Sequence, residues 1–238
     1  MIKMRLATAF LALCFAAAGP AAAQTFQDLP FAKKLKLAKV GDEDAQVAVG
    51  QAYEGGASGA GPDPAEAAKY YRLAALQGNV EAQYRLARIV AKGAKGLKQD
   101  WPTAFKLYQD AAGKGQVAAM NALGQLYQNG QGTAADMAKA AQWYRKAAEL
   151  KLSDAQNNLG VLYLKGAGVT KDEAQAFKLF TAAAEQGDGW GLNNLGGMYE
   201  MGWGTAKDVV KAKDLYGQAA AKGNPAAQDN LKRLSSTP

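Results

Sequence analysis

Histidine is absent from this chain of 238 residues, and cysteine occurs once, as Cys14. Without imidazole there is no histidine base, no histidine-dependent triad and no histidine-ligated metal. Serine is almost as scarce: Ser58, Ser153, Ser235 and Ser236 are the whole set. None lies in a G-x-S-x-G elbow or an S-x-x-K arrangement. Carboxylate pairs such as Asp172-Glu173, or Glu185 with Asp188, fit solvated surface charge better than a glycosidase-type acid pair. No apolar run reaches the roughly 20 residues of a lasting membrane span. What is abundant is ordinary globular material, 49% hydrophobic and 21% charged, well away from the disordered class.

The first 23 residues read as an export signal. Lys3 and Arg5 form a basic start, Leu6 to Ala18 a short apolar core, and Gly19-Pro20 breaks it. Ala21-Ala22-Ala23 then makes an A-x-A site with cleavage expected before Gln24. Leu13, directly before Cys14, is bulkier than a lipid-attachment pattern wants, so no anchor is expected there. Removal of the segment takes away that only thiol, leaving no disulfide, thiolate metal site or cysteine nucleophile. It also lowers the formal net charge from +7 to +5, spread along the chain, and no nucleic-acid partner is expected.

Beyond the signal one pattern recurs. Leu86, Leu123, Leu159, Leu195 and Leu231 are separated by 37, 36, 36 and 36 residues, and Val49 fills the slot one unit earlier. A small residue follows in five units: Gly50, Ala87, Gly124, Gly160 and Gly196. Tyr71, Tyr108, Tyr144, Phe180 and Tyr216 form an aromatic series, each followed by an Ala-Ala pair. The fourth unit shows how each folds. Leu159, Leu162 and Tyr163 share one face of a first helix, and Lys165-Gly166-Ala167-Gly168 ends it. A second helix opens on Asp172, as others do on Asp63, Asp100, Asp136 and Asp208, whose carboxylates suit unpaired first-turn amides. Gly78, Gly115, Gly187 and Gly223 close second helices, and Lys151 stands where the third unit lacks that glycine. Gly or Ala beside each Leu admits a neighbouring helix closely, and the aromatic fills the space.

Segments such as Ala155-Gln156-Asn157-Asn158-Leu159-Gly160 and Gln142-Trp143-Tyr144-Arg145-Lys146-Ala147-Ala148 resemble the Sel-one-like repeat (SLR), a relative of the tetratricopeptide repeat. Ala87, Val90, Lys151 and Gly191 depart from the pattern. The expected fold is an all-α, right-handed α/α solenoid of about five helix pairs with capping helices. Its units are 1–23 signal, 24–43 N-terminal cap, and repeats over 44–79, 80–116, 117–152, 153–188 and 189–224. Residues 225–238 form a closing helix and tail. Stacking is what buries each pair's apolar face.

The tetratricopeptide resemblance implies a concave groove lined by first helices. It places Val47, Tyr84, Asn121, Asn157 and Asn193 there, two before each Leu. The three asparagines form a ladder with two open roles: pairing with the backbone of an extended peptide, or bonding to neighbouring asparagines and helix ends. Asn158, Asn194 and Asn230 agree with the family consensus and read as structural. Further groove candidates are Arg88, Lys92, Gln125, Gln128, Asp154, Lys165, Trp190 and Glu200, with Trp203 in the fifth inter-helix loop. Trp190 and Trp203 lie outside the repeat pattern, which suits either a binding surface or end packing.

The family resemblance implies an adaptor or regulator working through protein contacts. Some exported members are similar to negative regulators holding the sensor domain of a signalling kinase. The expected partner is a protein or peptide in the cell envelope, most simply in the periplasm, without stable membrane insertion. An envelope protein stacking Trp190 and Trp203 on peptidoglycan or other sugar rings is the alternative. No catalytic residue, cofactor or metal is expected. The cysteine-rich SLR proteins discussed as β-lactamases rest on a disulfide framework this chain does not have.

Overall fold

A computed structural model describes residues 29–59 and 61–235. The expected signal and its cleavage point lie outside the described residues, as do the first part of the N-terminal cap segment and the tail after Ser235. The helices, in chain order, are α1 (Phe31–Lys39), α2 (Glu43–Gly55), α3 (Pro64–Leu76) and α4 (Val80–Lys92). Then come α5 (Trp101–Gly113), α6 (Val117–Asn129), α7 (Met137–Glu149) and α8 (Ser153–Lys165). The last are α9 (Glu173–Glu185), α10 (Gly189–Met201), α11 (Val209–Ala221) and α12 (Pro225–Ser235). They form an all-α solenoid of paired helices. The even members α2 to α10 are first helices, α3 to α11 are second helices, and α1 and α12 cover the ends. Extensive contacts join helices adjacent in sequence, with α8 against α10 the one extensive exception.

The helix boundaries follow from local chemistry. Asp63, Asp100, Asp136, Asp172 and Asp208 each accept a first-turn backbone N–H, at 2.9 to 3.1 Å. Each also donates its own backbone N–H to the carbonyl of Tyr53, Val90, Tyr127, Tyr163 or Tyr199, which folds the second helix back on the first. Thr103 adds a hydroxyl bond to Asp100 and, with its amide, holds that carboxyl below the usual range. These aspartates are caps. In the first and second units the loop between the paired helices is one residue longer than in the later three, and in the second Ala94 and Leu97 close it with a pair of backbone hydrogen bonds around Lys95-Gly96.

The missing glycine of the third unit has a visible consequence. Lys151 has φ of 62°, and it is the one non-glycine residue with positive φ among those described. That conformation costs a side-chain-bearing residue about 1 kcal/mol. Lys151→Gly is therefore expected to raise stability by about 1 kcal/mol, read as a higher urea midpoint at unchanged slope.

Packing between helices turns on the small residue after each Leu. A β-carbon added at Gly50, Gly124, Gly160 or Gly196 would stand 2.6 to 2.8 Å from the ring of Tyr71, Tyr144, Phe180 or Tyr216. These rings are 2% exposed or less, whereas Tyr108, opposite Ala87, is 6% exposed and lies at the edge of a recess. Gly191, another departure from the repeat, admits α9 more closely: a β-carbon there would lie 2.6 Å from that of Ala183.

Candidate binding groove

On each first helix, positions two before, two after and five after the Leu follow one another at i, i+4, i+7 and share a face. Three recesses open along this face. One, of about 450 Å³, is bordered by Glu54, Arg88 and Lys92 between α2 and α4. The second, of about 440 Å³, is bordered by Trp101, Tyr108, Gln125, Gln128 and Asn158 between α4 and α8. The third, of about 370 Å³, brings together Gln125, Asp154, Asn157, Asn158 and Trp190. Burial lifts the Asp154 carboxyl above its ordinary range, with help from the negative charge of Asp188.

The asparagines resolve into a cross-repeat lattice. Asn158 Nδ2 donates to Asn121 Oδ1 at 3.0 Å, Asn194 to Asn157 at 2.7 Å, and Asn230 to Asn193 at 3.0 Å. The oxygens of the first ladder are thus each held by the second series, one repeat on. Asn121 is 8% exposed, so little of it meets solvent. Asn157 is half-buried and keeps its Nδ2 without a hydrogen bond among the described residues. Asn193 directs its own Nδ2 towards Asn194, at 3.4 Å.

The other sequence candidates divide. Tyr84 is half-buried, its ring 6.0 Å from that of Tyr108, with the Arg88 guanidinium 5.8 Å from its centroid. Gln128 accepts the Tyr144 hydroxyl at 3.0 Å. Gln125 and Lys165 are exposed, Lys165 at the last residue of α8. Trp190 is 52% exposed and Trp203 38%. They sit at opposite ends of α10, roughly 17 Å apart along its axis or more, so they do not form one stacking platform.

Glu200 is engaged at the C-terminal end. Its carboxylate accepts Arg233 Nη1 and Nη2 at 2.6 and 2.7 Å, and the Tyr216 hydroxyl at 2.8 Å. The Arg233 bonds, aided by Tyr216, hold the Glu200 carboxyl below its ordinary value of 4.5 against the opposing effect of partial burial. A folded value below the unfolded one means that these bonds favour docking of α12 above about pH 4.5. The contribution is lost as pH falls through the depressed value. Hydrogen-exchange protection of α12 is expected to fall relative to α6 as the medium is acidified below pH 4.5. Glu200→Gln should lower α12 protection at neutral pH and remove that dependence.

Sequence reasoning missed Trp101, Tyr108 and Asn158 as groove residues: Tyr108 reads as one of the periodic aromatics, Asn158 as structural, and Trp101 only as the residue after the capping Asp100. A signal was present: Ala91 occupies the slot that holds Glu54, Gln128 and Glu200 in other units, which leaves Tyr108 without an acceptor. Among the described residues no three His, Cys, Asp or Glu side chains group as a metal site.

The repeats match the Sel1 repeat family over residues 43–79, 80–116, 117–152, 153–188 and 191–224. The chain belongs to that family of paired-helix repeat proteins. A Sel1 repeat protein from Oxalobacter formigenes is 29% identical, with a TM-score of 0.75 over 84% of this chain and 86% of that one. A protective antigen of uropathogenic Escherichia coli displaying an SLR fold is 27% identical, with a TM-score of 0.68. That match covers 87% of this chain, which spans about half, 51%, of the antigen's length. An immunity protein from Pseudomonas aeruginosa, 22% identical over 78% of this chain and 67% of its own with a TM-score of 0.52, shares the fold. No curated protein sequence matches significantly. Proteins of this fold typically mediate protein–protein interactions through the concave groove.

Proposed function

We propose that this chain is an exported, periplasmic interaction scaffold that docks a partner segment along the first-helix groove, without catalysing a reaction. The observation that carries the reading is the state of the central groove. Gln125, Asn157 and Asn158 border its recesses, are uncharged, and keep hydrogen-bonding groups unused after the asparagine lattice is formed. Such groups suit the repeating donors and acceptors of an extended main chain. Trp190, half exposed beside them, supplies the apolar anchor that interfaces favour. Export is supported by the basic, apolar and A-x-A succession of residues 1–23. A regulatory role towards an envelope signalling protein is the finer form of this proposal.

The test is crosslinking in cells followed by capture of the tagged chain, beside a Gln125→Ala, Trp190→Ala double variant. Neither side chain makes an internal hydrogen bond among the described residues, so helical circular dichroism should be unchanged. One specific envelope partner, lost with the double variant, is the expected result. The same partner with both proteins, or none with either, would sink the groove reading. The exposed Trp190 beside Asp154 and Asn157 also favours a second reading, sugar binding. Cosedimentation with insoluble peptidoglycan that depends on Trp190 would establish that instead.

A further inference from the structure

The second-helix aromatics and the position five after the first-helix Leu form matched pairs. Tyr71, Tyr144 and Tyr216 donate their hydroxyls to Glu54, Gln128 and Glu200 at 2.7, 3.0 and 2.8 Å. In the fourth unit Leu164 accompanies Phe180, and neither has a polar group to satisfy. The second unit breaks the rule. Ala91 offers no acceptor, yet Tyr108 retains its hydroxyl. Tyr108 is 6% exposed, and its hydroxyl makes no hydrogen bond among the described residues. The hydroxyl is reached by solvent, so water meets it in the empty recess and an acceptor on a docked group takes that water's place.

The same recess presents a defined set of unused groups. Gln128 has its Oε1 on Tyr144, which leaves the Nε2 donors. Asn158 has its Nδ2 on Asn121, which leaves Oδ1 as acceptor. Trp101 and Ala91 add apolar wall, and no lining side chain is charged. Arg88, whose field reaches the Tyr108 hydroxyl, borders the neighbouring recess, where it lies 3.9 Å from Glu54. A primary carboxamide complements this set: its oxygen accepts from Tyr108 and Gln128 while its NH2 donates to Asn158. A carboxylate has no proton for Asn158 Oδ1, and no residue lining the recess offers it a charge partner.

We infer that the recess between α4, α5, α6 and α8 is a specificity pocket for the Gln or Asn side chain of a docked peptide. This rests on the groove reading above and adds which residue the groove selects. Discrimination between an amide and its acidic counterpart comes from Asn158 Oδ1, which an amide NH2 satisfies and a carboxylate oxygen does not.

The experiment is a 15N NMR titration of the chain with the blocked peptide Ac-Ala-Ala-Gln-Ala-Ala-NH2. Parallel titrations use the same peptide with Glu, Lys or Leu at the centre, and the N-acetylglucosamine trimer. Saturable shifts at Tyr108, Gln125, Gln128 and Asn158 are expected with the Gln peptide, with affinity about tenfold lower for Glu and Leu. Tyr108→Phe should weaken the Gln peptide by about tenfold and keep the fold, since Phe180 fills the equivalent place. Ala91→Gln should close the pocket by giving Tyr108 an internal acceptor, and abolish the shifts. Equal affinity for Gln and Glu peptides, no saturation at these residues, or indifference to both variants would overturn the inference. So would saturation by the sugar trimer alone, which would make the occupant an acetamido sugar. If cellular capture depends on Gln125 and Trp190 while the peptides are not discriminated, the pocket fails and the groove reading stands. If capture ignores the groove variant, the groove reading itself fails.

Discussion

Gly168→Val is expected to destabilise the solenoid by about 4 kcal/mol, through two costs at one atom. Gly168 has φ of 70°, a conformation that a β-branched residue adopts only under strain. Its β-carbon would also stand 2.2 Å from the carbonyl carbon of Met137 and 2.6 Å from the Ala138 nitrogen. Those atoms belong to the first turn of α7, one repeat earlier, so no side chain can swing aside. The same contact recurs where Gly132 meets Trp101 and Gly204 meets Glu173. Valine at either should act in the same direction. Gly217 is the control: it lies inside α11 with nothing within 4 Å of an added β-carbon. Gly217→Ala should stabilise by about 0.5–1 kcal/mol. Urea denaturation of the three valine variants beside Gly217→Ala would show opposite signs, and equal small effects would refute the close-approach account.

Tyr144→Ala should cost about 3–5 kcal/mol, the range for emptying a large aromatic site in a core that cannot collapse. Tyr144 is 1% exposed, and its ring fills the space left by Gly124 at the centre of the array. Most of that loss belongs to the ring rather than the hydroxyl, so Tyr144→Phe should cost only about 1 kcal/mol, the worth of its bond to Gln128. Burial raises the Tyr144 hydroxyl above its ordinary titration range, so it stays a donor at neutral pH. Tyr108→Phe should be less costly still, because that hydroxyl has no internal acceptor. Denaturation midpoints in the order Tyr108→Phe, Tyr144→Phe, Tyr144→Ala, from highest to lowest, would bear this out. A Tyr144→Phe loss close to that of alanine would refute it.

The repeat was legible because its determinants are local or periodic. The Leu series, the aspartate caps and the glycine gap at Lys151 each depend on residues within one unit, or on the same residue type recurring at one spacing. The asparagines were legible as two ladders but not as one lattice. Asn158 reaches Asn121 across 37 positions, one residue more than the unit between them, and the stacking of neighbouring helices sets that diagonal offset. The close approach of Gly168 to Met137 was hidden for the same reason, since a loop glycine reads equally well as a simple helix stop. Tyr108 was hidden by its own periodicity. Aligned with four core aromatics it looked like a fifth, and only the loss of its acceptor at Ala91 sets it apart.

The diagonal asparagine bonds carry a consequence for how such a protein changes over generations. Each link joins a residue to the equivalent neighbourhood of the next unit, so the joint on either side of a repeat has the same chemistry. Excision of residues 153–188 would bring Asn194 opposite Asn121, which now receives Asn158. Insertion of a copy would offer the same match. The groove can therefore grow or shrink by recombination in whole-unit steps without a new interface having to arise, and each step adds or removes one unit's side chains from what it recognises.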